Sequence, residues 1–357
     1  METQNESPRK SGPAPGGRAV KQTGIAIAGN ILVDIVKQAN TYPSSGLLAD
    51  ITSVQRAVGG CVPNTALDLA RMGRDIPVYA LGRVGQDEAA TYLLRQLKRA
   101  GVDTAGVSQS LRCSTSFSDV ICARDTGERT FFHYRGANAE FRPEDIALDA
   151  LPCKLLHIGY VLLLDAFDAV DEVYGTVMAR FLHDAQSRGM RTSIDAVSSK
   201  QGGFREKIIP ALKYCDYAIM NEIEACAALG LPARDGAGRL LTENVKRALE
   251  AFLEAGVRRR AVIHCPEAGF CLDAKTGYAA VPSFRLPPGY IRGSVGAGDA
   301  FCAGCLRAAH QEKSPEEMLA LGAAAAAACL AEADAVSGMK TEKELYQIIR
   351  DWEKRDL

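Results

Sequence analysis

The chain of 357 residues carries 42 Lys and Arg against 43 Asp and Glu, a formal net charge of -1, with 47% hydrophobic and 24% charged residues. This composition is ordinary for a globular protein and has no basic excess for nucleic acid or a membrane surface. No apolar run is long enough to span a bilayer, and residues 1–22 lack the apolar centre of a secretory leader. We therefore expect a cytoplasmic protein without nucleic-acid or membrane partners.

The eleven cysteines are odd in number and scattered, and several lie in apolar runs. This pattern indicates free, buried thiols in a reducing compartment. The pair Cys302-x-x-Cys305 has redox or zinc spacing, but it lies inside a predicted helix and has no second pair. Packing is therefore the favoured interpretation of the pair.

The N-terminal 22 residues are rich in Pro, Gly, Ser and charge, and are predicted to be a disordered tail. Residues 23–357 are predicted to form one domain. It begins with a β-branched apolar run at 24–36, which predicts a buried strand with an edge-like extension. A glycine turn then opens an amphipathic helix at 58–73, and a strand follows at 76–82.

Helices and strands alternate through the rest of the chain. Further strands are predicted at 154–160, 191–197, 217–222 and 261–265, and helices at 87–99, 166–187, 242–255, 298–310, 314–332 and 341–355. Such alternation predicts a mostly parallel central sheet with helices on both faces, which is a three-layer α/β/α fold. Folds of this kind bind ligands beyond the carboxyl ends of their strands.

Two segments, 38–57 and 103–135, alternate polar and apolar residues instead. They predict short strands outside the main sheet, forming a small β lid. The apolar face of such a lid has to be buried, either against the substrate and the core of the domain or against a second subunit.

A carboxylate precedes a helix in the segment GSVGAGDAFCAGC, residues 293–305. Asp299 is either a helix cap beside a glycine turn or a catalytic base. The second interpretation follows because the amides at a helix N-terminus cradle anions such as phosphate.

Four motifs occur in order along the chain: GGCVPNTALDLARMG at 59–73, RGANAEF at 135–141, NEIEA at 221–225 and GSVGAGDAFCAG at 293–304. In this order and spacing the chain resembles the ribokinase-like, PfkB-type sugar kinases over residues 24–350. The resemblance implies a ribokinase-like fold and ATP-dependent, Mg²⁺-dependent phosphorylation of a hydroxymethyl group on a sugar or sugar derivative. It also implies a homodimer formed through the lid.

The resemblance implies a role for each matching residue around the reaction. Asp299 corresponds to the base that takes the proton of the acceptor hydroxyl, and the amides of Gly296, Ala297 and Gly298 to the anion hole. Glycine allows the backbone to approach phosphate closely.

On the nucleotide side, Asn221 and Glu224 match residues that organise Mg²⁺ and phosphate, partly through water. Magnesium retains several waters, so one carboxylate and one amide are chemically adequate. The alternative is that the pair is an ordinary helix start. Gly269 and Ser294 lie at the positions of further nucleotide contacts.

On the acceptor side, Asp34 matches an aspartate that binds hydroxyl groups, and a carboxylate can accept from two adjacent hydroxyls. Gly59, Gly60 and Asn64 match residues that line the same pocket. The alternatives are a solvated strand end for Asp34 and a simple turn for the glycines.

Two further residues are candidates for the acceptor pocket. Asn138 lies where the lid meets the pocket, or forms an Asx turn. Tyr160 lies where ribokinase itself has a carboxylate, so ribose is not the favoured acceptor.

Four other polar residues are left open. Asp195 ends a predicted strand, where it either meets a ligand or caps a helix. His157 ends another, where a lone histidine is more often structural. Arg135 and Arg292 are candidates for contact with a substrate phosphate or carboxylate.

Three departures from the family pattern lie on the nucleotide side. Gly293 replaces an aspartate of a monovalent-cation site, which argues against potassium activation. Pro266 has no amide to donate to a nucleotide. Asp334 and Ala335 replace a Gly-Ala pair near the adenine.

Two alternative functions follow. The aromatic segment FFHY at 131–134 leaves a nucleoside kinase open. The departures at Pro266 and Gly293 leave a binding protein without turnover open.

Overall fold

The structure is a computed structural model that describes residues 22–126, 128–198 and 202–356. The predicted N-terminal tail, apart from residue 22, lies outside the described residues. No described helix is both long and apolar enough to cross a membrane.

The strands fall into a large sheet, a lid sheet and a two-stranded hairpin. In chain order they are β1 (Gly24–Gly29), β2 (Leu32–Ala39), β3 (Ile51–Gly59), β4 (Val78–Val84), β5 (Asp103–Gln109), β6 (Ser116–Ala123), β7 (Arg129–Tyr134), β8 (Cys153–Val161), β9 (Val170–Asp171), β10 (Gly175–Thr176), β11 (Arg191–Ala196), β12 (Tyr217–Asn221), β13 (Arg260–His264), β14 (Ala268–Asp273) and β15 (Gly277–Pro282).

The helices flank the large sheet. In chain order they are α1 (Cys61–Met72), α2 (Glu88–Ala100), α3 (Val177–Ser187), α4 (Phe204–Leu212), α5 (Glu222–Ala227), α6 (Thr242–Glu254), α7 (Ala297–His310), α8 (Pro315–Cys329) and α9 (Glu342–Asp351).

The large sheet has nine strands in the order β15-β14-β13-β12-β11-β8-β1-β4-β5. From β13 to β5 all neighbours are parallel, and only β14 and β15 pair antiparallel. The near-continuous apolar runs of β1 and β8 suit strands that are covered on both faces.

Successive side chains of β1 enter two different core layers. Ile25 and Ile27 pack toward α1, α2, α7, α8 and α9, whereas Ala26 and Ala28 pack toward the helices from α3 to α6. Both faces of the sheet are therefore buried, and the predicted three-layer α/β/α fold is confirmed.

The lid is a separate sheet of four strands in the order β3-β2-β6-β7. It does not have the predicted bounds of 38–57 and 103–135. The lid already begins at Leu32, and β5, at Asp103–Gln109, pairs with β4 in the large sheet. The reason is that β4, α2 and β5 form a β-α-β unit, whose crossover returns β5 parallel to β4.

Several helices also depart from the predicted bounds; α8 and α9 end at Cys329 and Asp351, before the predicted 332 and 355. The helix predicted at 166–187 begins at Val177, after the β9–β10 hairpin, because Thr176 caps it by accepting from the amide of Ala179. Residue 222, predicted to end a strand, instead begins α5. Cys302 and Cys305 are buried in α7 as free thiols, as the packing interpretation requires.

Candidate active site

Asp299 lies in the first turn of α7, close to the carboxyl end of β8. The cap residue of α7 is Gly296, so Asp299 is not the helix cap. Its side chain instead accepts a hydrogen bond from Asn64 Nδ2 at 2.9 Å and another from the Tyr160 hydroxyl at 2.8 Å. One carboxylate is thus held at both oxygens by side chains from α1 and β8.

The environment of Asp299 opposes ionisation. Burial raises its pKa to about 7, and the Asp195 carboxylate also raises the pKa, while the hydrogen bonds from Asn64 and Tyr160 lower it. A carboxyl with a pKa near neutrality suits proton transfer, because both of its protonation states are accessible.

The backbone before α7 forms a glycine turn at a helix N-terminus, where the Ala297 amide donates one long hydrogen bond, at 3.5 Å, to Ser294 O. Gly296 has φ 79°, and a Cβ there would lie 2.4 Å from Ala335 Cβ, so only glycine fits. The N–H groups of a first helical turn have no partner inside their helix and lie at its positive end. The amides of Ala297 and Gly298 belong to this turn, directly before Asp299.

His264 lies beside this turn and was not predicted as a site residue. A Cβ on Gly298 would lie 3.3 Å from its Cε1, and its ring stacks on Phe301 at 4.7 Å between centroids. Burial lowers the pKa of His264 to about 4, so the imidazole is neutral. Its place at the carboxyl end of β13 was the signal in the sequence.

Asp34 and the two predicted glycines lie at the start of the lid. A Cβ on Gly59 would lie 2.4 Å from Asp34 Oδ2, and one on Gly60, where φ is 87°, would lie 2.6 Å from Asn30 O. Position 60 therefore requires glycine, whereas a side chain at position 59 would have to displace the Asp34 carboxylate. Burial, followed by the Asp299 carboxylate, raises the pKa of Asp34 to about 7.

Asn138 is buried in a 3-10 turn, Gly136–Glu140, beside the same segment. Its side-chain Oδ1 accepts from the backbone N–H of Ile31 at 3.1 Å, and its backbone N–H donates to Ser116 Oγ at 3.1 Å. Its Nδ2 has no hydrogen-bond partner among the described residues. The side chain therefore joins the link between β1 and β2 to the lid and keeps one donor unused.

Asn221 and Glu224 form a reciprocal cap at the start of α5. The backbone N–H of Glu224 donates to Asn221 Oδ1 at 2.9 Å, and the backbone N–H of Asn221 donates to Glu224 Oε2 at 3.1 Å. Ser198, which was not predicted, donates from Oγ to Glu224 Oε1 at 3.0 Å. Burial raises the pKa of Glu224 to about 8.

This group of oxygen ligands suits a magnesium ion. Carboxylate, amide and hydroxyl oxygens are hard donors of the type that Mg²⁺ prefers. Both Glu224 oxygens already accept hydrogen bonds, so Glu224 and Asn221 fit contact through water better than direct contact.

The other predicted nucleotide contacts have different surroundings, although Gly269 is in register with His264, which is in register with Asn221. Gly269 is buried in β14, where a Cβ would lie 3.0 Å from Phe301 Cζ. Ser294 is exposed in the loop before α7. Pro266 is exposed, and its carbonyl accepts from Arg355 Nη1 at 2.9 Å.

The residues that were left open have distinct surroundings. Asp195 Oδ2 lies 3.6 Å from His157 Nε2, its Oδ1 has no partner among the described residues, and burial raises its pKa. His157 Nδ1 lies 3.0 Å from Ser193 Oγ, which indicates a structural role. Arg135 pairs with Asp165 at 2.7 Å.

Asp68 is a buried carboxyl that the motif analysis did not single out. It lies on α1, one turn after Asn64, and neither of its oxygens has a partner among the described residues. Burial, and then Asp299, raise its pKa far above the ordinary value. An acid on the apolar face of a helix was the signal in the sequence.

Comparison with known proteins identifies the class. A model of the pfkB family of carbohydrate kinases matches residues 22–342. Fructokinase-1 of Zea mays is 24% identical over 333 residues, which cover 90% of this chain and 96% of that protein. The chain therefore belongs to the pfkB family of carbohydrate kinases, which are ATP-binding phosphotransferases that act on an alcohol group.

Solved structures have the same fold. Arabidopsis thaliana ribokinase complexed with ribose and ATP superposes with a TM-score of 0.76 at 20% identity, over 92% of this chain and 99% of that one. A putative ribokinase II of E. coli in complex with ATP and Mg²⁺ gives 0.72 at 17% identity, with coverages of 92% and 99%. The fold is ribokinase-like.

Proposed function

We propose that this kinase transfers the γ-phosphoryl group of ATP to a hydroxymethyl group on a sugar or sugar derivative, with Asp299 as the general base. The observation that carries the proposal is the double hydrogen bond to Asp299, from Asn64 and Tyr160, at the N-terminus of α7. Phosphoryl transfer needs positioning and electrostatic stabilisation more than covalent chemistry, and these residues supply both.

The base is oriented before the acceptor arrives. Each carboxylate oxygen has two lone pairs, so the hydrogen bonds from Asn64 and Tyr160 leave lone pairs free for the acceptor hydroxyl. Fixing both oxygens removes rotational freedom from the reacting group, which lowers the entropic part of the barrier. Asp299 takes the proton as the hydroxyl oxygen attacks the γ-phosphorus.

The amides of Gly296, Ala297 and Gly298 face the charge that develops on the transferred group. Such donors are already oriented and need no reorganisation, so they stabilise the transition state more than water does. The neutral ring of His264 closes one side of this turn without adding charge.

The acceptor is held at the base of the lid. The Asp34 carboxylate accepts hydrogen bonds from the hydroxyl groups of the sugar, and Gly59 and Gly60 leave room for the sugar. The Nδ2 of Asn138, which has no partner among the described residues, is a further donor. Tyr160 contributes through its contact with Asp299. Closure of the lid excludes water and so limits hydrolysis of ATP.

ATP is the co-substrate, and Mg²⁺ is the cofactor, held near Asn221, Glu224 and Ser198 through water. When bound there, Mg²⁺ would neutralise phosphate charge, while Asn221, Glu224 and Ser198 would orient its waters. The resemblance also assigns nucleotide contacts to Gly269 and Ser294; Gly269 is buried and Ser294 is exposed.

The test is ADP release with ATP and Mg²⁺ across a panel of sugars, sugar acids, polyols and nucleosides. Asp299→Asn keeps the size of the side chain and removes the base, so we expect kcat to fall by about 10²–10⁴-fold. Asp351→Asn, at an exposed position in α9, is the matched control and should retain full activity.

Equal turnover by Asp299→Asn and the parent would contradict the role of Asp299. Turnover of nucleosides alone would move the acceptor class to nucleosides. ATP and sugar binding without any ADP release would contradict the proposed reaction.

A further inference from the structure

A large cavity begins at Asp34 and runs between the lid and the body of the protein. Its volume is about 820 Å³. Its walls are the lid strands, the helices α1 and α2, and the loops on either side of α7 and α8, which bring Val295 and Ala335 to it. Val295 directly precedes the proposed anion hole, so the cavity adjoins the reaction site.

The charge of this cavity is strongly positive, although the whole chain has a formal net charge of -1. Its only acidic lining residues are Asp34 and Asp334. Its basic lining residues are six arginines: Arg56, Arg71, Arg74, Arg99, Arg129 and Arg292.

None of these six guanidinium groups forms a short ion pair with a described carboxylate. Of the six, only Arg292 has a carboxylate oxygen of a described residue within 4 Å, that of Glu332 at 3.9 Å. Arg71 also donates to Val336 O and interacts at longer range with the carboxyls of Asp68 and Asp334. Other arginines do have close partners, such as Arg83 with Asp145 at 2.7 Å and Arg234 with Glu222 at 2.7 Å. Like charges gathered around a cavity repel one another and create a positive potential that attracts anions.

The lid register separates the two ends of the cavity. Asp34 on β2 pairs with Ser118 on β6, which pairs with His133 on β7. We call these three residues the inner row of the lid. Gln38 is paired with Cys122, which is paired with Arg129, so Arg129 lies four residues further out along the lid. At about 3.3 Å per residue, the backbones of the two rows are about 13 Å apart, so the long Arg129 side chain has to extend inward to meet a sugar whose hydroxyl lies at Asp34.

Arg129 and Arg292 approach the outer end from opposite sides. Arg129 comes from lid strand β7, and Arg292 from the loop before α7. Both also line a second, adjoining cavity that contains Phe131 and Ser294. An anionic group bound between them would join the lid to the loop that carries the anion hole.

We propose that the acceptor is an anionic sugar, one that carries a phosphate or carboxylate group in addition to the hydroxymethyl group. Arg129 and Arg292 bind the anionic group, with the other four arginines adding positive potential, while the reacting hydroxyl lies at Asp34 and Asp299. This inference rests on the proposed function. Arginine suits the task because its planar donors match the oxygens of phosphate and carboxylate.

The test is direct binding without nucleotide, measured by isothermal titration calorimetry. The probes are hexose and pentose monophosphates, aldonic acids and the neutral parent sugars. We expect at least one anionic sugar to bind about tenfold or more tightly than its neutral parent, with an affinity that falls as salt is added. Comparing phosphates with carboxylates identifies which anion the site takes.

Variants locate the site. Arg129→Gln and Arg292→Gln each remove a charge-assisted hydrogen bond, so we expect each to weaken binding of the anionic sugar about tenfold or more. The preference for the anionic over the neutral sugar should fall by the same factor. Arg247→Gln, on the exposed part of α6 outside the cavity, is the matched control.

The outcomes separate this inference from the proposed function. Turnover of neutral sugars with no preference for anionic ones would overturn the inference and leave the kinase proposal standing. Tight binding of an anionic sugar without ADP release would support the inference and contradict the proposed reaction. Displacement of the anionic sugar by inorganic tripolyphosphate, with both arginine variants losing ATP affinity equally, would overturn the inference by assigning the arginines to the nucleotide.

Discussion

The protonation of Asp299 is set by opposing local effects. Burial and the Asp195 carboxylate raise its pKa, and the donors on Asn64 and Tyr160 lower it, which leaves the pKa at about 7. A base must be deprotonated to act, so kcat/KM should rise with pH through about 7. Asp34 titrates in the same range, so the acidic limb reports the two carboxyls together.

Tyr160→Phe removes one hydrogen bond to the ionised form of Asp299. Loss of that bond makes the carboxylate less stable, so the pKa rises and the acidic limb of kcat/KM moves to higher pH, by about 0.5–1 pH unit. Asp195→Asn should move the limb to lower pH, because it removes a repelling charge. The measurement is a pH profile of kcat/KM for the parent and both variants. Shifts in the same direction for the two variants would contradict this account of the site.

Helices α7 and α8 lie close together because small residues meet between them. A Cβ on Gly304 would lie 2.7 Å from Leu321 O and 2.8 Å from Gly322 Cα. α8 is also rich in alanine, with six in succession after Gly322. Since α7 carries Asp299 at its start, this close packing also holds the base in place.

Gly304→Ala should force the two helices apart. Overpacking of this kind costs about 1–3 kcal/mol, which exceeds the gain of about 1 kcal/mol that alanine brings to an unhindered helix position. We therefore expect a net loss in the free energy of unfolding, measured by urea denaturation. Gly236→Ala is the matched control, because nothing lies within 4 Å of a Cβ there. Equal stability of the two variants would show that the helices can move apart at no cost.

One face of the lid is only partly covered. Asp34 faces the cavity, and the side chains that alternate with it lie on the opposite, outer lid face, where Val33, Ile35 and Phe117 lie beside α2. On that face Val54 is 58% and Phe132 55% exposed. Exposed apolar side chains on a sheet are typical of a protein–protein contact. We therefore expect two copies of the chain to associate through their lids.

Phe132→Asp places a charge on the outer lid face, on the edge strand β7, and should shift a dimer to monomer. Sedimentation velocity at micromolar concentration measures this change. Leu111→Asp, at a position outside the lid strands that is 84% exposed, is the matched control and should leave the association unchanged. A parent protein that is monomeric under these conditions would contradict a homodimer formed through the lid.

The repeating layers of this molecule could be predicted from the sequence because they depend on local patterns. Continuous apolar runs predicted the inner strands, and alternation with amphipathic helices predicted the parallel sheet. The bounds of the lid could not be read in the same way. The residues of β5 alternate like those of a lid strand, and only the β-α-β crossover places them in the large sheet.

The site was predictable residue by residue only where a motif carried it. The motifs named Asp299 and Asn64, and the likeness to ribokinase at a strand end named Tyr160, but neither showed that the last two bind the first. Those contacts join residues separated by 235 and 139 positions in the chain, and they form only after the strands and helices have packed. Ser198 and His264 were missed for the same reason, because their contacts with Glu224 and with the turn at Gly298 also form only in the folded chain.

By itself, therefore, the sequence determined the order of the elements, the family and the residue types available for catalysis, because these follow from local periodicity and short motifs. The tertiary structure decided which carboxyls are buried, and so have raised pKa values, and which arginines share a cavity. Burial and electrostatic potential depend on distances between residues that are remote in the chain, and only the packing of sheet, helices and lid sets those distances.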